Sequence, residues 1–207
     1  VDAHMDEVGL VIVHIEKTGF LRFRSVGVPA AVLTSKRVLI GKDKVPGVIG
    51  AKAIHLQERR ERDSVIPIEQ LTIDIGAKSK DEAERKVKVG DYVVFDTEYE
   101  ELWPGIVKAK ALDDRAGCAL LLELLKETWE NVQVYAVFST QEELGARGAR
   151  VAAYRVNPDM GIALEGTVCA DIPGTEPEGY ATEIGKGAVL SVMDRGTIFH
   201  KGMLDRL

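Results

Sequence analysis

Cysteine is scarce in this chain. Cys118 and Cys169 are the only two in 207 residues, too few for a disulfide framework and without zinc-knuckle spacing. Aromatic residues make up 6%, which leaves aliphatic side chains to build the core. No apolar run approaches the roughly 18 consecutive residues of a membrane helix. An excess of positive charge is lacking too. Lys and Arg number 27 against 33 Asp and Glu, and the net charge of −6 offers no electrostatic footprint for a nucleic-acid backbone or an anionic membrane surface. The first residues show no basic-then-apolar pattern that would argue for secretion. What remains is ordinary globular composition, 45% apolar and 29% charged, able to bury a core and too apolar for disorder. The expectation is an acidic globular protein of the cytoplasm.

Both ends read as cuts through secondary structure. Val1, followed at once by Asp2-Ala3-His4-Met5-Asp6, reads as the tail of a strand, and His200 to Leu207 reads as a helix entering its second turn. The middle of a longer chain is therefore expected.

From Val8 to Lys108 the pattern is β-rich and punctuated by turns. Val11, Val13 and Ile15 alternate with Ile12 and His14 before a Lys17-Thr18-Gly19 turn. Phe20–Phe23, Arg37–Ile40, Gly47–Gly50, Leu71–Ile75 and Tyr92–Phe95 follow at loop-separated intervals, which suggests a small barrel or sandwich. Ser79 and Glu82 have capping-box spacing and predict a short helix. Gln57 to Asp63 carries charges of both signs and reads as a solvated loop, or as one reaching over a partner subunit.

After Lys108 the rhythm changes. Cys118, Leu121, Leu122 and Leu125 predict a helix over Ala116–Lys126, and Val132, Val134, Ala136 and Phe138 alternate as a strand. Gly145–Tyr154 reads as a second helix and Met160–Leu164 as a buried parallel strand. Helix, strand, helix, strand predicts an α/β domain, with the β-rich block inserted into it.

Potential ligands concentrate in four places: His4 with Asp6, Asp113-Asp114, Glu142-Glu143, and Glu165 with Asp171 beyond it. Taken alone, Asp113-Asp114 reads as N-cap and dipole chemistry, Glu142-Glu143 as solvated carboxylates, and His4 as a hydrogen-bonded core side chain. Three of the four groups nevertheless fall at strand ends or strand-to-helix turns, the edge where open α/β sheets bind ligands. Acidic groups gathered there repel one another unless a cation lies between them, so a dinuclear divalent site is expected. His14 and His55, in the β-rich block, read as structural. Cys118 reads as a helix-core residue. Cys169 follows Glu165 closely enough to line the site, but fits better as a small buried residue.

Asp2-Ala3-His4-Met5-Asp6-Glu7-Val8-Gly9 resembles the first metal motif of the tetrahedral (TET) aminopeptidase family, which includes glutamyl aminopeptidases and cellulase M-like relatives. Lys110 to Gly117 resembles its second motif, Thr140-Gln141-Glu142-Glu143-Leu144-Gly145 its third, and Ala163-Leu164-Glu165-Gly166-Thr167 its fourth, all in family order. The resemblance implies an α/β zinc-peptidase domain over residues 1–7 and 109–207, with an inserted small β-barrel, residues 8–108, that serves dimerisation and oligomerisation.

Position by position, the resemblance implies His4 and Glu165 on a first metal ion and Glu143 on a second. Asp113 would bridge both, with a cis peptide to Asp114. Asp6 would orient His4, and Glu142 would be the general base that passes a proton from the attacking water to the leaving amine. Zinc and cobalt suit such His/carboxylate sets equally. A further family ligand, a histidine near the C-terminus, is expected beyond this chain. His200 lies in Thr197-Ile198-Phe199-His200, a stretch that resembles a part of the family without a ligand. With Asp113 and Glu143 alone, residues 1–207 are expected to hold the second ion weakly. The implied activity is cytoplasmic removal of N-terminal residues from short peptides by a homo-oligomer, commonly of twelve subunits, with no nucleic-acid or membrane partner. Two other readings stay open: a cellulase-like glycoside hydrolase built on paired carboxylates, and a non-catalytic assembly module.

Overall fold

In the first half, alternating apolar residues curl a run of short strands into a closed barrel. The computed structural model describes residues 1–59, 63–176 and 182–207, so part of the charged Gln57–Asp63 run lies outside the described residues. The strands are β1 (Asp2–His4), β2 (Gly9–Ile15), β3 (Leu21–Val26), β4 (Arg37–Ile40), β5 (Val45–Gly50), β6 (Thr72–Asp74) and β7 (Tyr92–Phe95). All but the first close in the order β2, β3, β6, β5, β4, β7. Closure leaves no free sheet edge. Leu10, Ile12, Ile15, Leu21, Phe23, Ile40 and Ile73 are buried in its core.

Strict alternation along β2 would turn His14 inward after Leu10 and Ile12. The register with β3 shifts between Ile12 and His14, and this bulge leaves Val13 and His14 exposed while Ile15 points into the core. The predicted helix after Ser79 forms as α1 (Lys80–Glu84), with the Ser79 hydroxyl accepting from the Glu82 N–H at 3.3 Å. The Glu82 carboxylate accepts from the N–H of Lys78, one residue before the cap. An unexpected hairpin follows the barrel. Its strands β8 (Glu100–Trp103) and β9 (Ile106–Lys108) are joined by Pro104-Gly105, a turn signal of the usual kind.

The α/β portion is built around β1, which runs parallel to β10 (Val137–Ser139) on one side and bridges in parallel to Ala163 on the other. Here the strands are shorter than expected. Of Val132–Phe138 only the end joins a ladder, and Met160–Leu164 contributes one bridge fixed by Asp2 N–H to Ile162 O and Leu164 N–H to Asp2 O. Helix α2 (Leu112–Leu124) is non-helical at Asp113 and Asp114, so its regular part begins at Arg115. It buries Asp114, Gly117, Cys118 and Leu121, whereas Leu122 and Leu125, expected on the same face, are exposed. Helix α3 (Arg147–Val156) ends at Asn157 in the left-handed conformation, a usual C-terminal stop.

The chain divides into two compact units, Val1–Glu165 and Gly166–Leu207. The second has no regular strand among its described residues, and holds a Met193–Ile198 bridge closed by Asp194 and the short helix α4 (Lys201–Leu204) after His200. Among the described residues, no helix is long and apolar enough to cross a membrane.

Candidate metal centre

Three parallel segments deliver their carboxyl ends to one place. His4 closes β1, Glu142 and Glu143 follow β10 by a short turn, and Glu165 stands two residues beyond the Ala163 bridge. Asp113 enters from the irregular start of α2. The peptide between Asp113 and Asp114 is cis.

His4 is the hub and is 2% exposed. Its Nδ1 lies 3.0 Å from the main-chain oxygen of Asp6. A carbonyl oxygen only accepts, so Nδ1 carries the proton and Nε2 faces the carboxylates. Nε2 is 3.0 Å from Asp113 Oδ1, 3.4 Å from Glu165 Oε1 and 4.0 Å from Glu142 Oε2. Two sets of ligand atoms, His4 with Asp113 and Glu165, and His4 with Glu142 and Glu143, each fall within 4.8 Å of one another. One nitrogen and oxygens at this spacing suit a zinc-like divalent ion.

Electrostatics point the same way. Burial raises the Glu143 carboxyl above its ordinary pKa, and the charges of Asp113 and Glu142 raise it further. For His4, burial pulls the imidazole down, but Glu165, Asp113 and the hydrogen bonds outweigh it and its pKa stands above the ordinary value. Both shifts have the direction expected of acidic groups crowded together with no cation between them. A divalent ion taken up at Nε2 must displace the His4 proton, and one at Glu143 must displace that carboxyl's. Both pKa values are raised, so those protons persist to higher pH than in free side chains. Zinc affinity is therefore expected to climb as pH rises through and beyond the ordinary imidazole value of about 6.5. Calorimetric titration in two buffers of different ionisation enthalpy checks this, with more protons released at about pH 6 than at about pH 8. Buffer-independent heat at the lower pH would contradict it.

Asp6 meets His4 chiefly through its backbone, with its carboxylate 3.5 Å from Nδ1. That carboxylate accepts from the N–H of Glu142 at 3.1 Å and of Glu143 at 3.3 Å, and so pins the turn carrying both glutamates. Asp114, wholly buried, accepts from the His4 N–H at 3.1 Å and the Gly117 N–H at 3.0 Å, locking β1 to α2. Burial raises its pKa against the pull of those two bonds. The Cys118 thiol, in the core as expected, donates to the His4 carbonyl at 3.2 Å. Sequence reasoning misses the Asp114 contact, although an aspartate three residues before a glycine is the signal it leaves.

The barrel also reaches the centre. Gly27, at φ +75°, has space for a side chain neither toward Val8 nor toward Glu143, whose Oε2 would stand 3.1 Å from an added Cβ. Asp171 and Cys169 belong to the second unit. Asp171 accepts from the Ile184 N–H and from the Cys169 thiol, a bond that raises the thiol's pKa. His14 and His55 are exposed on the barrel side, away from the ligand sets.

Comparison with known proteins gives this geometry a context. The lysyl aminopeptidase of Pyrococcus furiosus is 34% identical over 198 residues, covering 93% of this chain and 57% of its own length. The Pyrococcus horikoshii TET1 peptidase, described as assembling into a tetrahedron or a large octahedral shell, superposes with a TM-score of 0.84 at 35% identity. That match covers 99% of this chain and 62% of that one. A Thermotoga maritima structure named an endoglucanase superposes at 0.80 with 34% identity, over 99% of this chain and 60% of its own. The chain thus spans a little over half the length of these relatives. The profile of the M42 glutamyl aminopeptidase family matches residues 1–207 from end to end, and the chain belongs to that family.

Proposed function

We propose that the protein of which this chain is part is a dinuclear metal-dependent aminopeptidase that trims short peptides from their N-termini. The observation that carries the reading is His4 Nε2, buried and aimed at Asp113, Glu165 and Glu142 within 4.0 Å. His4, Asp113 and Glu165 would hold one divalent ion and Glu143, together with Asp113, would hold the other, zinc and cobalt being equally suited. When bound, such ions supply Lewis acidity for the scissile carbonyl and lower the pKa of a water from about 15.7 towards 7. Glu142 takes the proton from the attacking water at its carboxylate and returns it to the leaving amine. Asp6 holds Glu142 and Glu143 in place by their N–H groups. The acidic cluster also suits a free α-ammonium, which favours cleavage at the chain end.

The same reading takes residues 1–7 and 109–207 as the catalytic domain and 8–108 as an inserted barrel through which subunits assemble. The shells described for the Pyrococcus horikoshii relative support a large homo-oligomer; a dodecamer, and work in the cytoplasm, follow from the family resemblance alone. The endoglucanase name of the Thermotoga relative keeps glycoside hydrolysis as the second reading. Two-carboxylate glycosidases need no metal, so chelation separates the two. On a panel of aminoacyl-p-nitroanilides, cleavage is expected to vanish with chelator and return with zinc or cobalt. Cleavage indifferent to chelator removes the metal from the chemistry. No cleavage of any aminoacyl substrate, with hydrolysis of a cellulose oligomer, favours the second reading.

A further inference from the structure

A cleft of about 730 Å³ opens from the metal centre onto the barrel, within the usual size of ligand sites. Its lining takes in Asp113 and Glu143 of the metal centre together with Val28, Pro29 and Phe95 of the barrel. Three cations also line it, Lys36 and Arg37 from the barrel and Lys110 from the segment leading to Asp113.

Two of the three are already neutralised. The Arg37 guanidinium lies 2.6 Å from the Asp96 carboxylate, and the Lys110 ammonium pairs with Glu7. Lys36 makes no ion pair among the described residues, although its backbone is firmly held. Its N–H donates to Leu33 O at 3.2 Å, its carbonyl accepts from the Ile49 N–H at 2.9 Å, and Leu33 itself is wholly buried. A rigid base on the barrel therefore carries a lysine with no ion pair among the described residues, in the lining of a cleft that also takes in Asp113 and Glu143 of the metal centre.

We propose that Lys36 captures a carboxylate on the leaving-group side of the substrate, either the C-terminus of a di- or tripeptide or an acidic side chain near the cleaved bond. The inference rests on the aminopeptidase reading and orients its substrate. A short peptide is a dipole, ammonium at one end and carboxylate at the other, and the cleft lining offers complementary charges, the acids of the metal centre and Lys36 of the barrel. The reverse orientation would set ammonium against Lys36 and carboxylate against the acids. The long, mobile lysine stem lets the anchor serve peptides of more than one length.

The test uses the full-length, metal-loaded protein and tripeptides of the form X-Gly-Gly, with X the preferred N-terminal residue. Each peptide is compared as the free acid and as the C-terminal amide, and X-Gly-Glu-amide serves as the side-chain arm. Wild type is expected to show a KM about tenfold lower for the free acid than for the amide, with similar kcat, as one charged hydrogen bond in a partly open cleft would give. In Lys36→Gln that ratio falls to about one, and in Lys36→Arg it is largely kept. Recovery of a low KM by X-Gly-Glu-amide assigns the site to side-chain carboxylates, and its absence assigns it to the C-terminus. Equal KM for acid, amide and Glu-amide in wild type, or an acid preference that survives Lys36→Gln, overturns the proposal while leaving the aminopeptidase intact. Failure to cleave any of these peptides or any aminoacyl-p-nitroanilide overturns the aminopeptidase reading, and this inference falls with it.

Discussion

Glutamine at position 142 is expected to lower kcat on a preferred aminoacyl-p-nitroanilide by about 10²–10⁴-fold, the range in which a positioned general base contributes. Glu142→Gln keeps the shape of the side chain and removes its basicity. What ties residue 142 into the fold is its backbone N–H, donated to Asp6 Oδ1 at 3.1 Å, and the substitution leaves that bond in place. The side chain is 39% exposed, so no buried packing is lost. Melting temperature should therefore stay close to wild type while turnover collapses. A second readout follows from Glu143, whose raised pKa owes part of its shift to the Glu142 charge. Without that charge the Glu143 carboxyl moves back toward its ordinary value, and metal loading should displace fewer protons. Wild-type turnover in a folded, metal-loaded variant would remove Glu142 from the chemistry and assign the general base to another group.

How far the sequence alone reaches depends on whether a feature is local. The barrel strands are legible because alternation and turn residues act within a few positions, and α1 because Ser79 and Glu82 sit three apart. The ligands are legible as acids and a histidine at strand ends, since the parallel arrangement of β1 and β10 places those ends together. What escapes depends on partners far away in the chain. Val132–Ala136 has strand composition, yet among the described residues only Val137–Ser139 joins the ladder with β1. The bulge that turns Ile15 inward is set by the register with β3, not by any property of residues 12–15. Leu122 and Leu125 fit a helical stripe, yet the buried side of α2 is decided by where Asp114 must lie. Asp6 shows the same limit within the site. Its place near His4 is readable, whereas its grip on the Glu142 and Glu143 N–H groups spans more than 130 residues.

The tightest of these long-range constraints gives the largest stability effect. Alanine at Gly117 would set a Cβ 2.5 Å from both carboxylate oxygens of Asp114, closer than real contacts allow. The residue is buried in the first regular turn of α2, and Asp114 is wholly buried, so neither group can swing into solvent. Relief requires Asp114 to give up its bond from the Gly117 N–H, the one from the His4 N–H, or both. Overpacking of this kind costs about 1–3 kcal/mol, and a lost hydrogen bond to a buried carboxylate about 1.5–3 kcal/mol. The better helix propensity of alanine returns about 1 kcal/mol. Gly117→Ala is therefore expected to destabilise the protein by about 2–4 kcal/mol in urea unfolding. Gly161→Ala, where an added Cβ meets nothing within 4 Å, serves as the near-neutral control. Because Asp114 follows Asp113 and holds the backbone of His4, Gly117→Ala should also weaken metal binding in the fraction that stays folded. A double-mutant cycle with Asp114→Asn identifies the route. If the clash acts through the carboxylate, the two losses overlap and the pair is less harmful than their sum by about 0.5–3 kcal/mol. Additive losses would mean that α2 shifts as a whole and that Asp114 is not the element linking the helix to His4.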